Sequence, residues 1–592
     1  MEIAQAATIA DAAQAQMHTF FRVLIAAIVL AMTGLILYRP AFGIIDDHLI
    51  VAHQDRGHFG VPVCVNPDSR RFFPMDGQEY WLISGLGPLT AFKAYVFNAV
   101  QFCLFATILW FYLRKDLSPG WTVFAIVALV MSSASMMAWL RLLVPERGVL
   151  FFIVIALFCI DRFNSRWSIW YAIVSICSIG LALFYKEPVF LMTGTYAVLK
   201  LIGLYMDRDT GVQRYVATGI FCLSILFAVI AGSYFLLFSH TGSVSYAAQR
   251  RFMPTVQNAV FVVRHNAVIA HPLVFFILIP LTFARVIRTV IDRDIKVITA
   301  EPELFAASAY VFAILVLNLP PTPYYLLPVY AFGIRPIWNL VRRTICRSVA
   351  IPTIIAAVAV ALLCMCFPMG IVVRALDERI GRAMLAGIVL VILASVLYVR
   401  WPKASRQVSI CVGLLLLFVN TIPDSLNVAW QWKGQPVAFQ EAIRTTANLI
   451  RARPAESRSN VFVVGAPRVV YVEAYTSVGR YLEDELAGTP FDLFSELPPE
   501  PRFVADPAGT WSVERTSDAA IPRTGDILIK IPDASMTSPE ITQNASLISQ
   551  SKTATMFKIP TADSVQAAIK TRWKPPASPV QPSDGYEVFE MR

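Results

Sequence analysis

Asp46 and Asp47 stand side by side in GIIDDHLIV, a few residues after a long apolar run ends. Two adjacent carboxylates near a membrane surface raise each other's proton affinity through repulsion and lost solvation. One of them is then suited to accept the proton of an attacking hydroxyl. Their oxygens can also share a divalent cation. The alternative is a helix N-terminus, where acids cap the first turn and meet the helix dipole. His48, His53 and His58 follow at a spacing of five residues, which does not stack them on one helix face. They read as polar surface residues rather than metal ligands, and no residue is assigned to a metal.

A second group of residues is cationic. WLRLLVPERG carries Arg141, Glu146 and Arg147; FYKEPVF carries Lys186 and Glu187, with Pro188 placed to start the next helix; SYAAQRRFM carries Arg250 and Arg251. Arg and Lys neutralise and hydrogen-bond phosphate oxygens. Taken singly, each of these cations fits snorkelling or pairing with a nearby Glu. Taken together, on the membrane face expected for Asp46, they fit a phosphate site. In LPPTPYYLLPVYAFG, Tyr324 and Tyr325 fit an aromatic belt or a sugar-stacking surface. In RFFPMDGQEYWLI, Asp76, Gln78, Glu79, Tyr80 and Trp81 either line an acceptor site or form a helix on the membrane surface.

These residues must be positioned by membrane-spanning helices. The chain of 592 residues is 56% hydrophobic and only 15% charged, against about 25% charged in ordinary soluble domains. A hydrocarbon core about 30 Å thick needs about 20 apolar residues per helix, and helices satisfy their own backbone in lipid. Thirteen apolar segments between residues 20 and 422 meet or approach that length. The expected fold is therefore an all-α polytopic membrane protein of about 13 transmembrane helices with a small soluble α/β C-terminal domain. Residues 1–19 form an N-terminal cytoplasmic segment, 20–425 the transmembrane domain with a long outer loop at 39–89, and 430–592 the soluble domain. In the last, NVFVVGAPRVVYV and GDILIKIP read as strands and AFQEAIRTTANLIRAR as a helix.

Orientation follows from charge. Short basic loops hold Arg114-Lys115, Arg162 with Arg166, Arg208 with Arg214, Arg285 to Lys296, Arg342 to Arg347, and Arg400 to Arg406. The positive-inside rule makes these cytoplasmic and sets the loop 39–89 and the tail outside. The net charge of +10 is explained the same way, and no dense basic–aromatic stripe suggests nucleic acid. The N-terminus lacks a basic n-region, so the first apolar run reads as a retained anchor in a plasma or inner membrane. The nine cysteines lie almost entirely in or beside apolar runs and imply neither disulfides nor zinc. Nucleotide-binding, zinc-protease and serine-hydrolase motifs are absent from the sequence. An outer-face reaction would then draw its energy from an activated substrate.

This order of features resembles the GT-C superfamily of membrane glycosyltransferases, which includes protein mannosyltransferases and aminoarabinose transferases. Asp46-Asp47 matches the place of the family's acidic first-loop motif, and YYLLP at Tyr324 to Pro328 is similar to its late Tyr-Leu-Pro segment. YKEP and VPER are similar to segments of bacterial membrane glucosyltransferase-like proteins. The departure is DDH where many members have Asp-Glu, which leaves open which acid acts. The resemblance implies a GT-C-like fold and a hexosyl- or pentosyltransferase. Its donor is a polyprenyl-phosphate sugar and its acceptor a hydroxyl on a glycan, lipid or protein. Asp46 or Asp47 acts as base in an inverting displacement, and Arg141, Arg147, Lys186, Arg250 and Arg251 hold the phosphate. His48, Asp76, Glu79, Tyr324 and Tyr325 fall to the acceptor and sugar. It makes no cofactor certain and leaves a divalent cation open. The rival reading is a lipid or solute transporter or flippase. Coupled transporters carry ionisable groups on interior faces of their spans, and the spans here are nearly free of them.

Overall fold

The computed structural model describes residues 2–43, 47, 50, 65–66, 71–208, 211–237, 266–316, 322–345, 358, 402–454, 459–464, 471–495, 501–505, 511–515, 527–530, 581–583 and 586–590. Asp46, His48, His53, His58, Arg250 and Arg251 lie outside the described residues, as do, but for Val358, the expected spans at 349–367 and 383–399. The chain divides into two compact units.

The first unit comprises Met1–Tyr38, Gly60–Ile83 and Lys93–Ala429. Among the described residues, seven helices are long and apolar enough to cross a membrane, or eight if one bent pair is a single span. They are Gln16–Leu37, Ala91–Leu113, Pro145–Arg166, Val189–Met206, Gln213–Leu237, Val274–Asp292 and Ala404–Arg451. The chain is a multi-pass membrane protein. Shorter apolar helices run at Ile169–Tyr185 and Pro302–Leu315.

Three expected spans take a different form. The segment 121–140 is two helices, Pro119–Val130 and Ser133–Leu140, bent by 66°. The bend has a local cause: Ser132 is extended, and its Oγ accepts the Ser135 N–H at 3.2 Å, so the second helix starts with its own cap. The segment near 267–284 begins with two π-helical turns, Asn266–Ala270 and Val274–Leu278, before the α-helix Ile279–Asp292. The last expected span, 408–422, lies within a longer helical run. Pro402–Leu416, the π-turn Leu417–Thr421 and Ile422–Arg451 follow one another without a break, 48 residues from Ala404.

At one helix end of this unit, Arg335 ties together two acids that the sequence scatters. Its Nη2 is 2.7 Å from Asp161, its Nε pairs with Asp116, and its guanidinium lies over the Tyr112 ring at 4.6 Å. Lys115 reaches Asp161 at 3.0 Å.

The second unit comprises Arg39–Phe59, Ser84–Phe92 and Trp430–Arg592. Its sheet has seven described strands: β3 Ser459–Val464, β4 Phe491–Ser495, β5 Pro501–Ala505, β6 Trp511–Arg515, β7 Ile527–Lys530, β8 Gln581–Ser583 and β9 Tyr586–Glu590. Their order is β6-β5-β4-β3-β7-β9-β8. The strand β3 pairs in parallel with β4 and β7, and the other pairings are antiparallel. (β1 Val65–Asn66 and β2 Arg71–Phe72 form a separate two-stranded pair.) Alternation puts Val461 and Val463 of β3, and Ile527 and Ile529 of β7, on one buried face. Helical spacing puts Phe439, Ile443, Ala447 and Ile450 of Ile422–Arg451 against them, with Val478, Leu482 and Leu486 of the helix Tyr471–Leu486. Burying each large apolar side chain contributes about 1.5–3 kcal/mol.

Candidate functional site

Within the first unit, the turn after Ser133–Leu140 must satisfy the carbonyls left over at a buried helix C-terminus. The next helix supplies the donor. Pro145 opens it, and Arg147 in its first turn folds back with its side chain fully buried. Arg147 Nη1 donates to the carbonyls of Ala138 at 3.2 Å and Arg141 at 2.8 Å; Nη2 donates to the Leu142 carbonyl at 2.9 Å. A cation beside the carbonyl end of a helix is also favoured by its dipole. The same Nη2 donates to the Tyr80 hydroxyl at 2.9 Å and to Glu79 Oε1 at 3.3 Å. Both Nη atoms of Arg147 are therefore occupied by the protein's own acceptors, while its buried Nε meets none among the described residues.

Glu79 and Tyr80 come from the short helix Gln78–Ser84, which follows Gly77 at φ 77, a left-handed conformation that suits glycine. The Tyr80 hydroxyl lies 2.8 Å from the Leu142 carbonyl and 2.9 Å from Asn98 Oδ1, and donates to one of them at a time. Asn98 Nδ2 donates to the Arg141 carbonyl at 3.1 Å. Glu79 Oε2 accepts the Tyr185 hydroxyl at 3.1 Å. Burial pushes the Glu79 carboxyl above the usual carboxylate range, against the opposing pull of Arg147, its own backbone N–H and Tyr185. Gly148 makes room for Tyr185: a Cβ there would stand 2.5 Å from the ring.

Lys186 follows Tyr185 in extended conformation at the end of Ile169–Tyr185. Its Nζ is 2.7 Å from Glu146 Oε1, and both side chains are shielded. It also lies over the Tyr325 ring at 4.9 Å, while the Arg141 guanidinium lies over the Tyr324 ring at 5.5 Å. The two tyrosines meet edge to face at 4.8 Å on the 3-10 turn Pro323–Leu326. One turn thus supports both cations. His271, fully buried, fixes that turn: its Nε2 is 2.6 Å from the Pro323 carbonyl. A carbonyl only accepts, so Nε2 carries the proton, and Nδ1 faces the Tyr330 hydroxyl at 3.4 Å. The 71–77 segment is tied to the Lys186 turn by Phe72 N donating to Glu187 Oε1 at 3.2 Å and Met75 N donating to the Phe184 carbonyl at 3.1 Å. Asp76 is buried in this segment.

Asp47 belongs to the second unit. It is buried, and its Oδ2 accepts the Gly43 N–H at 2.7 Å. That strand of the loop is pinned to the unit's core: the Tyr481 hydroxyl donates to the Gly43 carbonyl at 3.2 Å, Gln440 Nε2 donates to the Phe42 carbonyl at 3.3 Å, and Phe42 packs on the apolar cluster.

The structure therefore brings Arg141, Lys186, Tyr324 and Tyr325 together, and gathers Glu79 and Arg147 into a buried pair beside them. Sequence reasoning named Glu146 as a pairing partner for these cations and missed Tyr185, Asn98 and His271 as members of this group. Glu146 and Tyr185 were signalled by standing next to the cations in VPERG and FYKEP; His271 carried no local signal. Among the described residues, no group of three or more His, Cys, Asp or Glu side chains is arranged to hold a metal ion.

The chain matches solved structures along nearly its whole length. One is ArnT from Cupriavidus metallidurans bound to undecaprenyl phosphate, at 12% identity and TM-score 0.40, covering 96% of this chain and 98% of that one. The apo state of the same protein matches at 13% identity and TM-score 0.42, with the same coverage. An oligosaccharyltransferase from Archaeoglobus fulgidus in the apo form matches at 11% identity and TM-score 0.40, covering 97% of this chain and 88% of that one. No protein family and no curated protein matches the sequence.

Proposed function

We propose that the protein is a membrane glycosyltransferase of GT-C type, moving a hexosyl or pentosyl group from a polyprenyl-phosphate donor to a hydroxyl on a glycan, lipid or protein. The observation that carries this reading is the pairing of Arg141 with Tyr324 and of Lys186 with Tyr325 on one 3-10 turn. Two shielded cations held on aromatic faces suit a phosphate ester with an apolar tail: the charges meet the phosphate and the rings meet hydrocarbon or sugar.

In the step, Asp46 or Asp47 takes the proton of the acceptor hydroxyl. The acceptor oxygen forms a bond to the anomeric carbon while the bond from that carbon to the phosphate oxygen breaks. Polyprenyl phosphate leaves with the extra negative charge, and a single displacement inverts the carbon. Arg141 and Lys186 neutralise that charge, a contact whose loss costs about 3–4 kcal/mol in the barrier at comparable preorganised sites. Lys186 shares its ammonium between Glu146 and the phosphate. Arg250 and Arg251 are further phosphate ligands in this reading. Asp76 and His48 stay assigned to the acceptor, and Tyr324 and Tyr325 to the sugar. The Nη atoms of Arg147 and the carboxylate of Glu79 are engaged with each other, with the backbone and with Tyr185, so in this reading the pair acts beside the phosphate ligands. The reaction takes place on the outer face of the plasma or inner membrane, with residues 430–592 on that side.

The test is transfer from a labelled polyprenyl-phosphate sugar by purified protein in detergent, comparing the parent with Arg141→Ala and Lys186→Ala. The expected result is cleavage of the donor by the parent and loss of about 100-fold or more in each variant. Donor that crosses a vesicle membrane intact, without cleavage, would overturn the proposal in favour of a transporter.

A further inference from the structure

We infer that the buried Glu79–Arg147 pair is a positioning strut that sets the spacing of Arg141 and Lys186; the inference rests on the phosphate-binding reading of those two cations. Arg141 lies on the turn whose carbonyls Arg147 holds: Ala138, Arg141 and Leu142 all accept from its two Nη atoms. The Arg141 carbonyl is gripped from a second side by Asn98 Nδ2. Lys186 is the residue after Tyr185, and the Tyr185 hydroxyl donates to Glu79 Oε2. Glu79 Oε1 accepts from Arg147. One carboxylate thus joins the turn that carries Arg141 to the residue that precedes Lys186.

A purely stabilising role explains this arrangement poorly. Glu79 is 8% exposed and Arg147 1%, and the cost of drying two such charges commonly matches or exceeds their attraction. Apolar side chains of similar volume would serve stability as well. What they cannot do is fix three carbonyls and a phenol at hydrogen-bonding distance. Arg141 and Lys186 have long, flexible side chains, so their reach to a common anion depends on where their backbones are held. A misplacement of about 1 Å at a site of this kind costs about 100-fold.

The experiment measures binding of undecaprenyl phosphate, in detergent micelles, to the full-length protein and to variants. Glu79→Gln and Arg147→Lys are expected to weaken binding about tenfold, alongside the lower melting temperature that disturbing a buried pair brings. The Arg141→Ala/Lys186→Ala double variant is expected to lose binding. In a weaker background with Arg141→Ala alone, adding Glu79→Gln is expected to cost less than it does in the parent, because its effect is delivered through the missing side chain. Parent-like affinity in Glu79→Gln, or a penalty that adds in full to Arg141→Ala, overturns the strut. Parent-like affinity in the Arg141→Ala/Lys186→Ala protein instead overturns the phosphate reading itself, whatever Glu79 does. If Glu79→Gln fails to fold, Tyr185→Phe removes only the hydroxyl contact and keeps the charge pair. It is expected to weaken binding less, and again non-additively with Lys186→Ala; full additivity there overturns the strut as well.

Discussion

Lys186 Nζ lies 2.7 Å from Glu146 Oε1, and the side chains are 6% and 0% exposed. Breaking a buried pair by removing one partner leaves an uncompensated charge and costs about 3–5 kcal/mol. Glu146→Gln is therefore expected to lower stability markedly, read as a fall in melting temperature in detergent. Changing both residues, Glu146→Gln with Lys186→Met, should recover much of that loss. Equal melting temperatures for parent and Glu146→Gln would show that the pair carries no such weight.

Gly148 faces the Tyr185 ring so closely that a methyl group would stand 2.5 Å from it. Gly148→Ala has to displace the ring and with it the hydroxyl contact to Glu79. Overpacking of this kind costs about 1–3 kcal/mol. The expected outcome is a lower melting temperature together with weaker donor binding, whereas Gly232→Ala, with open space around its Cβ position, should leave donor binding unchanged.

Tyr325 offers its ring to Lys186 at 4.9 Å. Tyr325→Phe keeps a ring and should bind donor nearly as the parent does. Tyr325→Leu removes it and should raise the donor KM several-fold, in line with the roughly 0.5–2 kcal/mol of a cation–π contact. Indistinguishable KM values for Tyr325→Leu and Tyr325→Phe would mean that the ring does not matter.

Much of this was legible in the residues. Two adjacent tyrosines before Leu-Leu-Pro and the cations in VPERG and YKEP were recognisable as chemistry-bearing, because each is polar where its neighbours are apolar. Their grouping was not legible, because it depends on a bend at Ser132 and on a 3-10 turn more than 130 residues away in the chain. The partners of Arg147 were hidden for a similar reason. From sequence it is one more cation at a helix start; only the fold shows that its nearest acceptors are the carbonyls ending the previous helix. The long helical run from Ala404 to Arg451 shows the same limit, since hydropathy marks an apolar stretch and not where its helix ends.

The Glu79 carboxyl is held above its ordinary value of 4.5, chiefly by burial. In the pH window that opens at 4.5 and extends upward to the raised value, the folded protein binds more protons at this site than the unfolded chain does. The contribution of Glu79 to stability then falls as pH rises through that window. The difference in melting temperature between the parent and Glu79→Gln should accordingly shift against the parent as pH rises. Donor affinity should move the other way, growing as Glu79 ionises and engages Arg147, with a flatter profile in Glu79→Gln. A pH-independent difference between the two proteins would contradict this sign.

In the proposed reaction a first-loop carboxylate serves a transfer from a polyprenyl-phosphate sugar. Its most direct measurement is the single-turnover rate of sugar transfer from labelled donor by the purified parent, Asp46→Asn, Asp47→Asn and the double variant, with undecaprenyl phosphate binding recorded in parallel. One single variant and the double are expected to lose at least about 100-fold in rate, the scale of a missing general base, while binding of the lipid phosphate persists. Parent-like rates in both single variants and in the double would contradict it.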